Sequence, residues 1–218
     1  MSLREFLSLG GVVMWPLFGF SLIAIALILE RSFFWLQLIR RQDPMVRETL
    51  ALYRHDPNAA FVKLEQNADL PMARIFLAAL EQPKATPEDF RLALESAAQS
   101  ELPFLRRFNT IFETIISTSP LLGLLGTILG LINTFAALRL GDIGGTNTVG
   151  VTGGISEALI STAAGLCVAI ATLLFANTFR GLYRHQLALI QRYGGQLELL
   201  YRYHYERGGL PLWDQAQG

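Results

Sequence analysis

The sequence predicts an all-α, polytopic membrane protein with three transmembrane helices. Hydrophobic residues make up 51% of its 218 residues, whereas only 17% are charged. Asp, Glu, Lys and Arg are absent from three stretches, which cover residues 6–29, 114–138 and 158–179. Each stretch is longer than the ~18 residues that identify a membrane-spanning helix. Three such stretches in one short chain indicate a membrane protein.

The first transmembrane helix is predicted over residues 11–35. Residues 1–10 precede it and contain apolar side chains that favour a short interfacial helix. The apolar run is longer than the ~7–15 residues of a secretory signal, and it leads into the aromatic cluster at residues 33–35, which is typical of a membrane interface. Pro16 lies within the first two turns, where a helix tolerates proline best. We therefore expect a retained helix.

A helical cytoplasmic region is predicted over residues 36–112. The dipeptides Asp43-Pro44, Asp56-Pro57 and Thr86-Pro87 each place a capping side chain directly before a proline, which favours the first position of a helix. Strand-like alternation does not occur in this region. We therefore expect short helices near residues 44–54, 57–67 and 71–82.

The helix that begins at Pro87 is predicted to run without interruption into the second transmembrane helix, residues 113–138. Its apolar periodicity continues along the cytoplasmic part, and Pro103 and Pro120 would only kink it. About 50 residues reach ~75 Å at 1.5 Å per residue, more than twice the ~30 Å hydrocarbon core. The second helix should therefore project far into the cytoplasm.

A short connection rich in Gly and Thr is predicted over residues 139–154, before a third transmembrane helix at residues 155–179. Residues 180–218 are expected to form a C-terminal helix and tail. The helical pattern continues to about Tyr205, although Gly194-Gly195 disfavours a helix. The third helix should also extend far into the cytoplasm.

Basic residues predict the orientation of the spans. Only Arg4 and Arg139 lie on the side shared by the N-terminus and the second connection. The opposite ends of the spans carry Arg31, Arg40, Arg41, Arg106, Arg107, Arg180 and Arg184. The positive-inside rule therefore places the N-terminus and the connection outside, and residues 36–112 and the C-terminus in the cytoplasm.

Composition argues against several classes of function. The formal net charge is zero, which gives no electrostatic basis for nucleic-acid binding. Cys167 is the only cysteine and lies in the third span, so a disulfide framework, a CxxC pair and a cysteine metal site are excluded within one chain. His55, His185 and His204 lie in predicted cytoplasmic parts and are expected to be solvated. Because no acid pair, His cluster or nucleophile triad converges, we expect neither an enzyme nor a cofactor or metal.

Five small residues share one face of the second predicted span: Ser119, Gly123, Thr127, Gly130 and Thr134. Their spacing keeps them within an arc of roughly 80° on a helix. Gly126 and Gly130 add a GxxxG spacing, and in lipid such residues mark close approach of helix backbones. One interpretation is plain helix packing. The other is that Thr127 and Thr134 line a polar path.

Glu157 is the one ionisable residue near the third span without an evident route to water. A carboxyl group at bilayer depth costs about 2.5–3.5 kcal/mol, so such residues usually face a bundle interior or water. Three small or hydroxyl residues follow on its side of the helix: Ser161, Gly165 and Thr172. Thr162 lies ~140° around the helix from it. Arg180, at the other end of the span, is about 34 Å away along a helix, which is more than the hydrocarbon core is thick. Glu157 could therefore lie near the outer boundary of the membrane instead of in its interior. In that alternative it is a first-turn Glu stabilised by the helix dipole.

Two segments carry a family resemblance. Residues 119–130 (SPLLGLLGTILG) and 154–166 (GISEALISTAAGL) are similar to the second- and third-helix signatures of the TolQ/ExbB proton-channel family, which is related to the flagellar stator subunit MotA. The pair of motifs, in this order and with this loop, is specific. The resemblance is strong over residues 115–180.

The resemblance implies a proton pathway. Thr127 and Thr162 correspond to pore threonines, Glu157 to the glutamate beside them, and Pro120 to a proline at a helix start. Glu157 is not expected to be the obligatory proton carrier. The positions that would pack the helices and form the pore stripe are Pro120, Gly123, Gly126, Gly130, Thr134, Ser161 and Gly165.

The resemblance also implies partners and a location. It suggests a homopentamer in the bacterial inner membrane, with its N-terminus periplasmic, around a dimer of a single-span ExbD- or TolR-like subunit whose membrane Asp carries the proton. Such a motor would drive a TonB- or TolA-like protein, supporting outer-membrane import or envelope integrity. The residues alone leave open a membrane scaffold without proton conduction. A flagellar-type stator shares the mechanism but usually has four spans and a larger cytoplasmic domain.

Overall fold

The structure, a computed structural model, describes residues 10–82, 85–141 and 148–208. Within these residues every regular element is an α-helix: α1 Met14–Tyr53, α2 Pro57–Glu65, α3 Pro71–Leu80, α4 Pro87–Leu105, α5 Asn109–Gly141 and α6 Thr148–Glu206. Three stretches are long and apolar enough to cross a membrane, namely Met14–Tyr53, Pro87–Ala136 and Thr152–Glu206. The predicted all-α fold with three spanning helices is confirmed. The interfacial helix expected over residues 1–9 lies outside the described residues.

Helix α1 continues from the first span far beyond it. The prediction that a separate helix begins at Asp43-Pro44 is wrong, because α1 runs through Pro44 to Tyr53. Proline cannot donate to the carbonyl of Arg40, one turn earlier. Both Pro44 and Arg40 are exposed, so water can satisfy that carbonyl.

The capping signals at the next helices are confirmed. Ala59 donates its backbone N–H to the Asp56 side chain over 3.0 Å at the start of α2. At the start of α4, Thr86 and Asp89 form a reciprocal capping box. Helices α2 and α3 lie within the ranges 57–67 and 71–82 that the sequence predicts.

A three-residue turn separates α4 from α5, so the predicted uninterrupted helix is wrong. The chain leaves α4 after Leu105, and Phe108 has a φ of 68°. Non-glycine residues rarely adopt this left-handed conformation. Pro103 lies in the last turn of α4 and donates no backbone hydrogen bond there, which weakens the end of that helix.

Helix α6 is the longest element, with 59 residues. It reaches Glu206, which confirms the predicted extension to about Tyr205. It begins at Thr148, whereas the sequence placed the start of the third span at residue 155. The glycines at 194 and 195 lie inside it without ending it.

The chain forms two compact units. In the described residues, the first unit consists of residues 10–31, 108–141 and 148–179. Its helices α5 and α6 expose large apolar side chains of the kind that suit acyl chains: Leu121, Leu124, Ile128, Ile132, Phe135, Leu159, Ile170 and Leu174.

The second unit consists of residues 32–82, 85–107 and 180–208. Helix α3 lies in its core, since eight of its ten residues are buried. The ring of Phe90 stacks on that of Tyr201 with 4.0 Å between centroids. Arg74 of α3 donates two hydrogen bonds, of 2.7 and 2.5 Å, to the carboxylate of Glu101 in α4. This unit is therefore a small helical domain with its own apolar core.

Candidate functional site

Helices α5 and α6 approach each other closely at Gly123 and Thr162. The Thr162 hydroxyl donates to the carbonyl oxygen of Gly123 over 3.1 Å. A Cβ atom on Gly123 would lie 3.0 Å from the Cα of Thr162 and 3.1 Å from the carbonyl oxygen of Ser161. Only a glycine fits here without moving one helix away from the other.

The same close approach continues along both helices. A Cβ on Gly130 would lie 2.7 Å from the carbonyl oxygen of Gly154, and one on Gly165 would lie 2.5 Å from that of Ser119. A Cβ on Gly126 would overlap the side chain of Ser161. We call this contact the α5–α6 seam, formed by Ser119, Gly123, Gly126, Gly130 and Thr134 of α5 and by Gly154, Ala158, Ser161, Thr162 and Gly165 of α6. The small-residue stripe therefore packs two helices of one chain together.

Most hydroxyl groups in or near the seam are bonded to helix backbone. Thr134 donates to the carbonyl of Gly130 over 2.8 Å, and Ser161 donates to that of Ala158 over 2.9 Å. Both side chains are buried. Ser119 differs, because its buried hydroxyl has no hydrogen-bond partner in the described part of the chain. Buried polar atoms are usually paired, so this hydroxyl is a candidate partner for water.

Thr127 lies at the edge of the seam. Its side chain is half-buried, and its hydroxyl donates to the carbonyl of Leu124 in its own helix over 2.6 Å. No hydrogen bond links it to Thr162 or Glu157. Thr127 and Thr134 therefore share a helix face without sharing an environment, because only Thr134 is buried.

Glu157 is the tenth residue of α6, so the interpretation as a first-turn Glu is wrong. Its side chain is half-buried, and it makes no hydrogen bond or ion pair within the described residues. The carboxyl group lies against Gly11, where a Cβ atom would overlap Oε1 and lie 2.8 Å from Cδ. The structure thus places one unpaired carboxyl group beside the chain segment that leads into α1.

That segment packs on the seam through three buried residues, Val13, Met14 and Leu17. Gly11 has a φ of 72°, a conformation that suits glycine. Neither Gly11 nor Gly154 was among the site residues predicted from the sequence. The Gly10-Gly11 pair before the first span is a turn signal that could have pointed to Gly11.

Pro120 is not at a helix start. It lies well inside α5, which begins at Asn109. The correspondence with a proline at a helix start is therefore wrong for this chain. Pro120 follows the buried Ser119, at the cytoplasmic end of the seam expected from the sequence.

Comparison with known proteins gives the family. Residues 67–192 match the MotA/TolQ/ExbB proton channel family. The chain is 64% identical over 193 residues to the putative biopolymer transport protein ExbB-like 3 of Synechocystis sp., covering 88% of this chain and 92% of that protein. It is 42% identical over 201 residues to ExbB-like 1 of the same organism, covering 92% and 79% of the two chains.

A more distant relative carries a different name. The Tol-Pal system protein TolQ of Pseudomonas aeruginosa is 39% identical over 85 residues, which cover 39% of this chain and 33% of that protein. The family match includes α5 and the part of α6 that forms the seam. With three apolar spans, a small-residue seam and an unpaired carboxyl group beside it, the chain belongs to the MotA/TolQ/ExbB proton channel family.

Proposed function

We propose that this protein is the channel-forming subunit of an inner-membrane motor that couples the proton-motive force to movement of a partner protein. The observation that carries the proposal is Glu157. It is a half-buried carboxyl group in an apolar membrane helix, without an ion pair in the described residues. Such a residue in a membrane span is functional by default.

The proton path would run along the edge of the α5–α6 seam rather than through it. The seam is closed by backbone contacts and by the hydrogen bond from Thr162 to Gly123. Thr127, Thr162 and Glu157 are nevertheless half-buried, so each keeps part of its surface accessible to water. The two hydroxyl groups would hold water, and Glu157 would make the local field favourable for a cation. One elementary charge crossing 100 mV supplies ~2.3 kcal/mol, so several protons must be coupled to move a partner.

The partners follow from what this chain lacks. One carboxyl group and a few hydroxyls do not make a complete proton relay. We therefore propose a homo-oligomer, a pentamer in the simplest case, around a single-span subunit of the ExbD or TolR type whose membrane Asp carries the proton. The N-terminus would be periplasmic and the C-terminus cytoplasmic, as the basic residues predict. A TonB- or TolA-like protein would receive the movement.

A membrane scaffold without proton conduction is the second candidate function. The seam favours it, because Gly123, Gly130 and Gly165 are used for packing inside one chain. A scaffold needs no carboxyl group at residue 157, so the two functions differ in what that residue does.

Proton flux decides between them. The protein would be reconstituted with its single-span partner in liposomes, and proton uptake would be followed with a pH-sensitive dye under an imposed membrane potential. Glu157→Gln and Thr162→Val should each lower the flux at least roughly tenfold, a barrier change of about 1.4 kcal/mol. The first variant removes the charge that favours a cation, and the second removes a hydroxyl group that holds water. Thr172→Val is the matched control, since Thr172 bonds only to Val168 of its own helix. No partner-dependent flux in the wild-type complex would favour the scaffold. Full flux in Glu157→Gln and Thr162→Val would show that the proton path does not use these two residues.

A further inference from the structure

One edge of the α5–α6 seam carries Thr127, and we call it the Thr127 edge. It lies opposite the side of α5 on which α1 packs, because Leu122 contacts the three buried α1 residues named above. Counted from Gly123 on an ideal helix, Leu122 is turned by about 100° to one side, and Thr127 is turned by about 40° to the other. Glu113 is turned by about 80° in the same direction as Thr127. Glu113 therefore lies on the Thr127 edge.

The exposed face of α5 beside this edge is polar at the end that is expected to be cytoplasmic. Four exposed side chains form this polar mouth: Thr110, Glu113, Thr114 and Ser117. Thr114 and Ser117 donate to carbonyl groups of their own helix over 2.9 and 2.7 Å, so their oxygens can still accept hydrogen bonds from water. From Leu121 to Ile132 the exposed residues of α5 are all apolar. The polar mouth is therefore confined to the first turns of the helix.

Glu113 lies at the level of the apolar part of α6. Gly123 is level with Thr162, because a Cβ on Gly123 would lie 3.0 Å from the Thr162 Cα. Ten residues separate Glu113 from Gly123, which is about 15 Å along the helix, and the same distance along α6 reaches Thr172. The charge-free stretch of α6 continues to Phe179. The backbone of Glu113 is therefore about 10 Å inside the end of that stretch.

The side chain of Glu113 extends from this level towards the boundary. Side chains of an α-helix are tilted towards its N-terminus, which for α5 is the end expected to be cytoplasmic. The ring of Phe112, the preceding residue, contacts that of Phe179 with 5.9 Å between centroids. A carboxyl group that faced acyl chains here would be costly, so the acid is expected to face water or another protein chain.

Pro120 frees one more polar group between Thr127 and Glu113. Proline has no N–H, so the carbonyl of Ile116 receives no backbone hydrogen bond from residue 120 inside α5. Ile116 is half-buried and lies three residues after Glu113, about 4.5 Å along the helix. Its carbonyl oxygen can accept a hydrogen bond from water that enters at the polar mouth.

We propose that Glu113 accepts protons at the cytoplasmic end of the path and releases them to the cytoplasm. The inference rests on the proposed function as a proton channel, and it adds a second carboxyl group to that path. A proton passes from water on the Thr127 edge to the Glu113 carboxylate and forms one O–H bond. The proton then leaves to water or buffer, which restores the carboxylate. The hydroxyl groups of the polar mouth hold the water that takes part in this exchange.

The test uses the complete complex in liposomes and the flux assay described above. Glu113→Gln keeps the size of the side chain but cannot take up a proton, so the flux should fall at least roughly tenfold. Glu113→Asp keeps a carboxyl group and should retain most of the flux. Glu30→Gln is the matched control, because Glu30 is an exposed acid at the corresponding end of the first span, and it should leave the flux unchanged.

A second readout separates proton transfer from a structural role. In liposomes with the cytoplasmic side of the complex outward, the impermeant buffer MES is added outside at increasing concentration. The flux of Glu113→Gln should rise with MES, because the buffer then accepts protons that the missing carboxylate would have accepted. The flux of the wild type should not depend on MES.

The outcomes distinguish this inference from the proposed function. Full flux in Glu113→Gln, together with reduced flux in Glu157→Gln, would overturn the inference and leave the proposed function intact. Equal losses in Glu113→Gln and Glu113→Asp that MES does not reverse would also overturn it, because they indicate a structural role. A loss in Glu30→Gln as large as that in Glu113→Gln would do the same, since it indicates a general effect of surface charge. Absence of flux in the wild-type complex would overturn both.

Discussion

The carboxyl group of Glu157 occupies the space where a side chain on Gly11 would begin. A Cβ atom at residue 11 would overlap Oε1 of Glu157 and lie 3.2 Å from its Cγ. Gly11 has a φ of 72°, so its backbone is also in a conformation that other residues rarely adopt. The position of the one carboxyl group at the site therefore depends on a glycine more than a hundred residues away in the chain.

We predict that Gly11→Ala destabilises the protein and displaces Glu157. Strain at a positive φ costs about 1–3 kcal/mol. The collision with the carboxyl group adds to this cost. Unfolding in detergent should show the lower free energy of unfolding. Proton flux should also fall, because Glu157 is displaced.

A double-mutant cycle separates the two causes. Glu157→Ala in the Gly11→Ala background should recover the stability lost through the collision, with a coupling energy of about 0.5–3 kcal/mol. The stability lost through backbone strain should not be recovered. Gly19→Ala is the control within α1, since a Cβ there meets nothing within 4 Å. Strict additivity of the two substitutions would contradict the contact.

Gly165→Ala should separate the two helices of the seam. The new Cβ would lie 2.5 Å from the carbonyl oxygen of Ser119 and 3.2 Å from the Cα of Gly123, and backbone atoms cannot move aside as a flexible side chain can. We expect a loss of about 1–3 kcal/mol, the usual cost of overpacking. Gly153→Ala, on the same helix with open space around it, should cause no loss of stability. Equal stabilities of the two variants would argue against a closely packed seam.

The start of α4 should fray in acid. The pKa of the Asp89 carboxyl lies below its ordinary value, because the Thr86 hydroxyl and the Thr86 backbone N–H donate to it over 2.6 and 3.1 Å. The folded state thus favours the ionised form. This stabilisation is complete above the unfolded pKa of about 4 and is lost as the pH falls through the lowered folded value.

Hydrogen exchange of the first-turn amides between pH 6 and pH 3 measures this effect. Asp89→Asn should reduce its pH dependence. The pKa of Glu88 is also lowered, chiefly by its hydrogen bond from Arg91, so Asp89→Asn leaves a residual dependence. An unchanged pH profile in Asp89→Asn would show that the capping box does not control this end of the helix.

The two glycines inside α6 should respond differently to alanine. Gly195→Ala places its Cβ in open space and should stabilise the helix by up to about 1 kcal/mol. Gly194→Ala places its Cβ 3.0 Å from the Cδ2 atom of Leu94 and should gain less. Truncating that neighbour, as Leu94→Ala, should restore the full gain at Gly194. Thermal unfolding of Gly195→Ala, Gly194→Ala, Leu94→Ala and the Gly194→Ala/Leu94→Ala double variant checks the order of their stabilities.

Local signals in the sequence predicted the three spanning helices and the caps at Asp56 and Thr86 correctly. The absence of charge over residues 158–179 is enough to indicate a membrane helix, because a charged group in hydrocarbon is costly. The capping box at Thr86 involves residues only three positions apart. Such features depend on neighbouring residues and can be predicted without the fold.

The local signal failed where packing decides. Asp43-Pro44 is compatible with a helix start, but Val46 and Thr49 just beyond it are fully buried in the second unit, and the helix continues to bury them. The residue with a positive φ in the turn before α5 is Phe108 and not a glycine, so the sequence contains no signal for that turn. These outcomes depend on contacts between residues distant in the chain.

The sequence by itself determined that the chain crosses a membrane three times and that small residues and one Glu lie on the second and third spans, because both are properties of single helices. Only the tertiary structure decided that the small residues pack α5 against α6 within one chain and that Gly11 lies against Glu157. Helical periodicity gives the face of the helix on which a residue lies. The residue that it contacts on another helix depends on the register and the distance between the two helices.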